Sequence, residues 1–181
     1  QTNWAVVAAA SAGWAARVFP QLSGEQATAR LWEEISRLCR LKTPNPMAAR
    51  EEHLEGLERR AKFLNGRRCS ALKYSGPGTD LVLGLPDGHV WTSGRTASRA
   101  GVPFTANLPT EEVFSIVHKD RVDGWVRSSK PLNYGGTLIE GFSLRFAGGE
   151  VVEMKAEKGE AVLRRLLDTD DGARRLREEL D

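Results

Sequence analysis

Ala71-Leu72-Lys73-Tyr74, a Gly76-Pro77-Gly78 turn, Leu81-Val82-Leu83-Gly84-Leu85, a Pro86-Asp87-Gly88 turn and Val90-Trp91-Thr92 follow one another in mid-chain and decide the class of the fold. Apolar residues recur there with a period of two between glycine and proline punctuation, which predicts short hairpin strands. Downstream, the same pattern predicts strands at Val122-Trp125-Val126, Thr137-Leu138-Ile139, Phe142-Leu144-Phe146 and Val151-Val152-Met154, with Gly148-Gly149-Glu150 as a tight turn between the last two. Two helical patterns follow, over residues 160–167 and 173–180.

Upstream of Arg68 the period changes to that of helices. Trp4-Ala5-Val6-Val7-Ala8-Ala9-Ala10 reads as a short buried parallel strand, the tail of an α/β unit, and Ser11 as the cap of a helix over residues 12–19 closed by Pro20. Ser23 with Gln26 three residues later is a capping-box pattern, and Ala27, Leu31, Ile35 and Leu38 repeat at helical spacing behind it. Asn45-Pro46 starts a third helix whose apolar face is Met47, Leu54, Leu57, Ala61 and Leu64, and Asn65-Gly66 is expected to end it. The order is therefore helices, an antiparallel β-sheet or partial barrel, then helices, an α+β class. The expected division is a strand plus helical segment over 1–68 and a β-rich segment with C-terminal helices over 69–181, packed as one compact unit.

The 181 residues carry 26 Lys and Arg against 24 Asp and Glu, interleaved without a run of one sign. That balance gives no electrostatic footprint for nucleic acid, and Trp91, Trp125, Tyr74 and Tyr134 are scattered among strands rather than set in a basic stripe. No stretch approaches the roughly 18 consecutive apolar residues of a membrane-spanning helix, so neither nucleic acid nor membrane is an expected partner. Cys39 and Cys69 lack any metal or disulfide spacing, which sets a reducing cytoplasm as the expected compartment. The first residue is Gln1, so the recorded start need not be the natural one.

Chemistry has few places to reside. His53, His89 and His118 are the three histidines, and none lies three or four residues from another, so no self-contained histidine metal motif exists. His53 reads as solvated on the third helix, His89 as a hairpin-edge residue and His118 as a hydrogen-bonding loop residue. No Gly-x-Ser-x-Gly occurs, and Gly135-Gly136 and Gly148-Gly149 fit turns or bulges better than phosphate loops. Carboxylates remain, since oxygen donors hold hard or borderline divalent cations that can activate water and polarise a carbonyl. Glu112, between the Pro109 turn and Val113-Phe114, is a candidate ligand; a lone glutamate in such a place is a solvent-facing or capping residue most of the time.

FTANLPTEEVF (104–114), HKDRVDG (118–124), SKPLNYGGTLIEGFSLRFAGGEVVE (129–153) and AEKGEAVL (156–163) form a long match. Together with Asn3-Trp4, Ala15-Ala16-Arg17-Val18-Phe19-Pro20, Ala29-Arg30-Leu31-Trp32 and Gly76-Pro77-Gly78-Thr79-Asp80-Leu81, they resemble the aminopeptidase T family of dimetal aminopeptidases. The resemblance implies a metal-dependent exopeptidase that removes N-terminal residues from peptides, with zinc or cobalt in a two-metal site and a dimeric assembly. It places metal ligands on Glu112, the glutamate before Val-Phe, and on Glu178, the glutamate after Ala173-Arg174-Arg175-Leu176. Family chains are more than twice as long, and their histidine and aspartate ligands lie past the last residue here. The chain is accordingly expected to be a truncated middle portion, inactive alone. The alternative is a non-catalytic dimerisation or peptide-binding domain. Apolar surface left uncovered by truncation would favour a homodimer or higher homo-oligomer.

Overall fold

A computed structural model of the chain describes residues 3–176. In chain order the elements are β1 (Val6–Val7), α1 (Ala12–Val18), α2 (Gly24–Leu38), α3 (Pro46–Arg67), β2 (Ala71–Gly76), β3 (Thr79–Gly84), β4 (Thr92–Ser93) and β5 (Arg95–Ala97). There follow β6 (Pro103–Thr105), β7 (Asn107–Leu108), β8 (Val113–Phe114), β9 (Val122–Arg127), β10 (Leu132–Tyr134), β11 (Thr137–Ile139), β12 (Ser143–Ala147), β13 (Glu150–Lys155) and α4 (Glu160–Leu167). The class is α+β. Two compact units emerge: the residues through Gly66 together with Trp91–Phe114, and Arg67–Val90 together with the residues from Ser115 onward.

In the first unit, α1 and α2 enclose Ala15, Ala27, Leu31, Ile35 and Cys39, with Ala8, Ala10, Phe19, Leu22 and Leu108 packed around them. Small residues at 15 and 27 allow close approach, and the Ser23–Gln26 capping box is formed, fixing where α2 begins. Replacing Ser23 with alanine is expected to cost about 1 kcal/mol, read as a lower urea midpoint. An unchanged midpoint would show that packing alone sets the start of α2. The helix α3 buries Leu54, Leu57 and Ala61. Three two-stranded pairs complete the unit: β1 with β7 in parallel, and β4 with β8 and β5 with β6 antiparallel.

Several sequence expectations change here. The Val6–Val7 strand is parallel, but both valines are exposed, because Ala8 and Ala10 rather than the valines pack on the helical core. Met47 is 73% exposed: it lines an open groove with Trp4, Arg50 and Phe104 instead of joining Leu54 and Leu57. Asn65-Gly66 does not end α3, which continues to Arg67 before Arg68 turns at φ 48°. The Asn65 side chain is engaged elsewhere, accepting from the Trp91 N–H at 2.8 Å and donating to the Trp91 carbonyl at 2.9 Å.

The second unit is built on one open antiparallel sheet in the order β13-β12-β9-β3-β2, not a closed barrel. Its apolar face and α4 share a core of Leu81, Leu83, Val122, Ile139, Phe146, Val151, Leu163 and Leu167. The separate hairpin β10–β11 delivers Ile139 to that core. The helix expected over residues 173–180 is absent over its described part. Turns lead to Arg175, which bridges Glu150, and the Val151 N–H donates to the Arg174 carbonyl at 2.8 Å, so the sheet edge claims this backbone before a helix can form. No helix among the described residues is long and apolar enough to cross a membrane.

Candidate functional site

Glu112 lies in the connection between β7 and β8, which begins with a cis Leu108–Pro109 bond. One end of this segment is paired to β1 and the other to β4. Between them Thr110 is buried, and Gly94 faces it so closely that a Cβ at that position would run into the Thr110 side chain. The backbone of the segment is thus fixed before any of its polar groups is considered.

The next residue, Glu111, is fixed as well. Arg40 grips its carboxylate with both terminal nitrogens, Nη1 to Oε1 at 2.7 Å and Nη2 to Oε2 at 3.1 Å. Such a forked pair is the strongest geometry available to a carboxylate and a guanidinium. His53 stands behind it: Nε2 lies 2.7 Å from the Thr110 carbonyl and 3.4 Å from Glu111 Oε2, and Nδ1 lies 3.1 Å from Arg40 Nη2. A carbonyl can only accept and a guanidinium can only donate, so the network assigns the proton to Nε2 and leaves Nδ1 as an acceptor. The hydrogen bond from Arg40 holds the Glu111 carboxyl below the usual carboxylate range against the opposing effect of burial, and the same bond raises Arg40. Arg40 reaches this position from a left-handed turn after α2, at φ 61°.

His53 is therefore not the solvated residue its charged neighbours suggest; its side chain is only 17% exposed because three polar groups converge on it. His89 Nδ1–H donates locally to the Pro86 carbonyl at 2.9 Å, and His118 Nδ1 accepts from the Asp120 N–H at 3.2 Å, the loop role read from its surroundings. The Arg40–His53–Glu111 cluster has no local signature, because its members are 13 and 71 residues apart.

Glu112 differs from its neighbour. It is exposed, and among the described residues no hydrogen bond or ion pair engages its carboxylate. Glu178, the other candidate ligand, lies outside the described residues. As a donor for a divalent cation Glu112 fits, being an unspent oxygen ligand open to solvent, whereas Glu111 does not, because both its oxygens are committed to Arg40. No three His, Cys, Asp or Glu side chains converge into a metal-holding group among the described residues. On its own Glu112 could fill no more than one coordination position, short of the set that holds an ion.

Residues 1–179 match the family model described as thermophilic metalloprotease (M29). The chain is 54% identical over 177 residues to aminopeptidase T of Thermus thermophilus and 48% identical over 178 residues to aminopeptidase AmpS of Bacillus subtilis. In both comparisons 98% of this chain is covered, and it spans 43% of the relative's length. Among solved structures, wild-type AmpT from Thermus thermophilus superposes with a TM-score of 0.89 at 54% identity, covering 97% of this chain and 43% of that one. With a family model matched over almost every residue and relatives near half identity, the chain belongs to the thermophilic metalloprotease (M29) family.

Proposed function

We propose that this chain is the part of a metal-dependent aminopeptidase that supplies the carboxylates of Glu112 and Glu178 to a zinc or cobalt site, in an enzyme that removes N-terminal residues from peptides. The observation that carries the reading is the state of Glu112, a free carboxylate beside a Glu111 held by Arg40 and a Thr110 carbonyl held by His53. A divalent ion, when bound, supplies a Lewis acid for the peptide carbonyl and an acidified water. The chain's own part is to present one oxygen donor to solvent while Arg40 neutralises the adjacent glutamate. With no metal-holding group of three donors among the described residues, the segment alone holds an ion weakly and does not hydrolyse peptides. The exposed Trp4, Val6, Val7, Met47 and Phe63 support a homodimer or higher oligomer as its state in solution.

The test is hydrolysis of an N-terminal leucine reporter by the purified chain with added zinc or cobalt, with and without chelator, beside Glu112→Gln. The expected result is a rate equal to that of the metal salt alone for both proteins. Chelator-sensitive hydrolysis that disappears in Glu112→Gln would overturn the inactivity of the isolated segment while establishing Glu112 at a working site. Sedimentation of the same preparation as a monomer would remove the proposed assembly.

A further inference from the structure

Two adjacent glutamates pose a problem that the fold must solve. On an exposed connection, Glu111 and Glu112 would repel one another, and either could occupy a cation intended for one of them. The structure breaks the equivalence through groups drawn from elsewhere in the first unit. Arg40 takes both oxygens of Glu111, and the Nε2–H of His53 donates to the Thr110 carbonyl, one residue earlier. Arg40 Nη2 also donates to His53 Nδ1, so the two holding groups brace each other and the histidine cannot turn without losing both contacts. Arg40 Nη1 further donates to the Leu38 carbonyl at 3.2 Å, tying the guanidinium to the end of α2. Arg40 and His53 are both largely screened from solvent, with side chains 29% and 17% exposed. An ordinary surface ion pair would have neither the fork nor the half-buried second support.

We propose that Arg40 and His53 are positioning residues for Glu112: by occupying Glu111 and pinning the Thr110 carbonyl they leave one carboxylate, in one orientation, free to take a divalent cation. The proposal rests on the reading of Glu112 as a metal ligand. It assigns a role to two residues that touch neither ion nor substrate, and it accounts for a half-buried histidine next to a guanidinium that packing alone does not require. Groups of this kind, which hold a ligand without coordinating the ion, commonly alter metal affinity by about ten- to a hundredfold when removed.

The experiment uses the full chain and two readouts. The first needs no metal: carbodiimide-driven amidation with a glycine ester, located by peptide mass spectrometry. Glu112 is expected to be modified while Glu111 is protected, and the protection is expected to vanish in Arg40→Gln and His53→Leu. His53→Gln, which keeps an N–H for the Thr110 carbonyl, is expected to retain it. The second readout is cobalt(II) binding by titration. Arg40→Gln and His53→Leu are expected to weaken it by about tenfold or more, as is Glu111→Gln, an exposed change that keeps the test open should either of the first two fail to fold. His53→Gln is expected to restore most of the affinity, an outcome a merely structural histidine would not give.

Equal modification of Glu111 and Glu112 in the parent chain would overturn the proposal, as would cobalt affinity unchanged in Arg40→Gln, His53→Leu and Glu111→Gln when Glu112→Gln abolishes it; in that last case the metal reading survives. Cobalt binding that Glu112→Gln leaves unchanged would instead overturn the metal reading and the positioning role with it, whatever the amidation pattern.

Discussion

Replacing Gly124 with valine is expected to abolish stable folding of the sheet unit. Gly124 sits in the middle of β9 at φ 119°, opposite Leu81 of β3, and an added Cβ would collide with the Asp80 carbonyl and crowd the Leu81 Cα. Both obstacles are backbone atoms of the neighbouring central strand, so they cannot swing aside as a side-chain tip would. The conformation itself costs a branched residue about 1–3 kcal/mol. Forcing the strands apart costs about 1–3 kcal/mol more. Together these come to about 2–6 kcal/mol, which equals the whole stability of a domain at the low end of the usual range of about 5–15 kcal/mol. Hydrogen exchange at the β3 and β9 amides is the direct measure: protection should be lost in the variant under conditions where the parent is protected. Retained protection with a urea midpoint near the parent's would show that the sheet can re-register around a side chain here.

The second large effect is expected in the other unit. Leu57 of α3 is 2% exposed and lies between Leu54 and Ala61 on the buried stripe of that helix. Leu57→Ala removes three carbons from a packed site, and such truncations cost about 2–5 kcal/mol, the upper end applying where the surroundings cannot collapse. The better helix propensity of alanine returns only a few tenths of a kcal/mol. Met47, on the same helix but 73% exposed, supplies the contrast: Met47→Ala should leave stability within about 0.5 kcal/mol of the parent. Trp4, Trp14, Trp32 and Trp91 belong to this unit and only Trp125 to the other, so tryptophan fluorescence during urea unfolding reports chiefly on the helical unit. A Leu57→Ala transition coinciding with that of Met47→Ala would mean that the α3 stripe does not hold the unit together.

The helices α1 to α4 and the central strands could be read from the chain because their signals are local. Ser23 and Gln26 announce α2 three residues apart, and Leu81, Leu83 and Val122 obey the period of a half-buried sheet. What could not be read was which short segments would meet. Val90-Trp91-Thr92 looks like the second arm of a hairpin after Pro86-Asp87-Gly88, yet Thr92–Ser93 pairs with Val113–Phe114, and Trp91 is bound by an asparagine from α3. Pairings of that kind depend on chain closure over tens of residues, to which neither periodicity nor turn chemistry is sensitive. The candidate site divides the same way. Glu112 drew notice mainly through the resemblance of its surrounding motif to a family, since one glutamate on a turn has no pattern of its own. Arg40 has no pattern at all and His53 reads as a solvated helix residue, because a guanidinium after one helix and an imidazole within the next acquire a shared purpose only when the 107–114 connection is laid across them.

The paired contact of the Asn65 side chain with Trp91 has a bearing on how the molecule ages. Asn65 is followed by Gly66, the dipeptide in which an asparagine amide most readily cyclises through the next backbone nitrogen and hydrolyses to aspartate. Here that amide stands in for a peptide group, one end accepting from and the other donating to Trp91, while its backbone is still within α3. Cyclisation must first break both bonds and unwind the end of the helix. Should it occur, the aspartate would keep an acceptor for the Trp91 N–H but set a charge against the Trp91 carbonyl it formerly served, so a spontaneous chemical lesion at one residue would weaken the tie between α3 and the strand that follows.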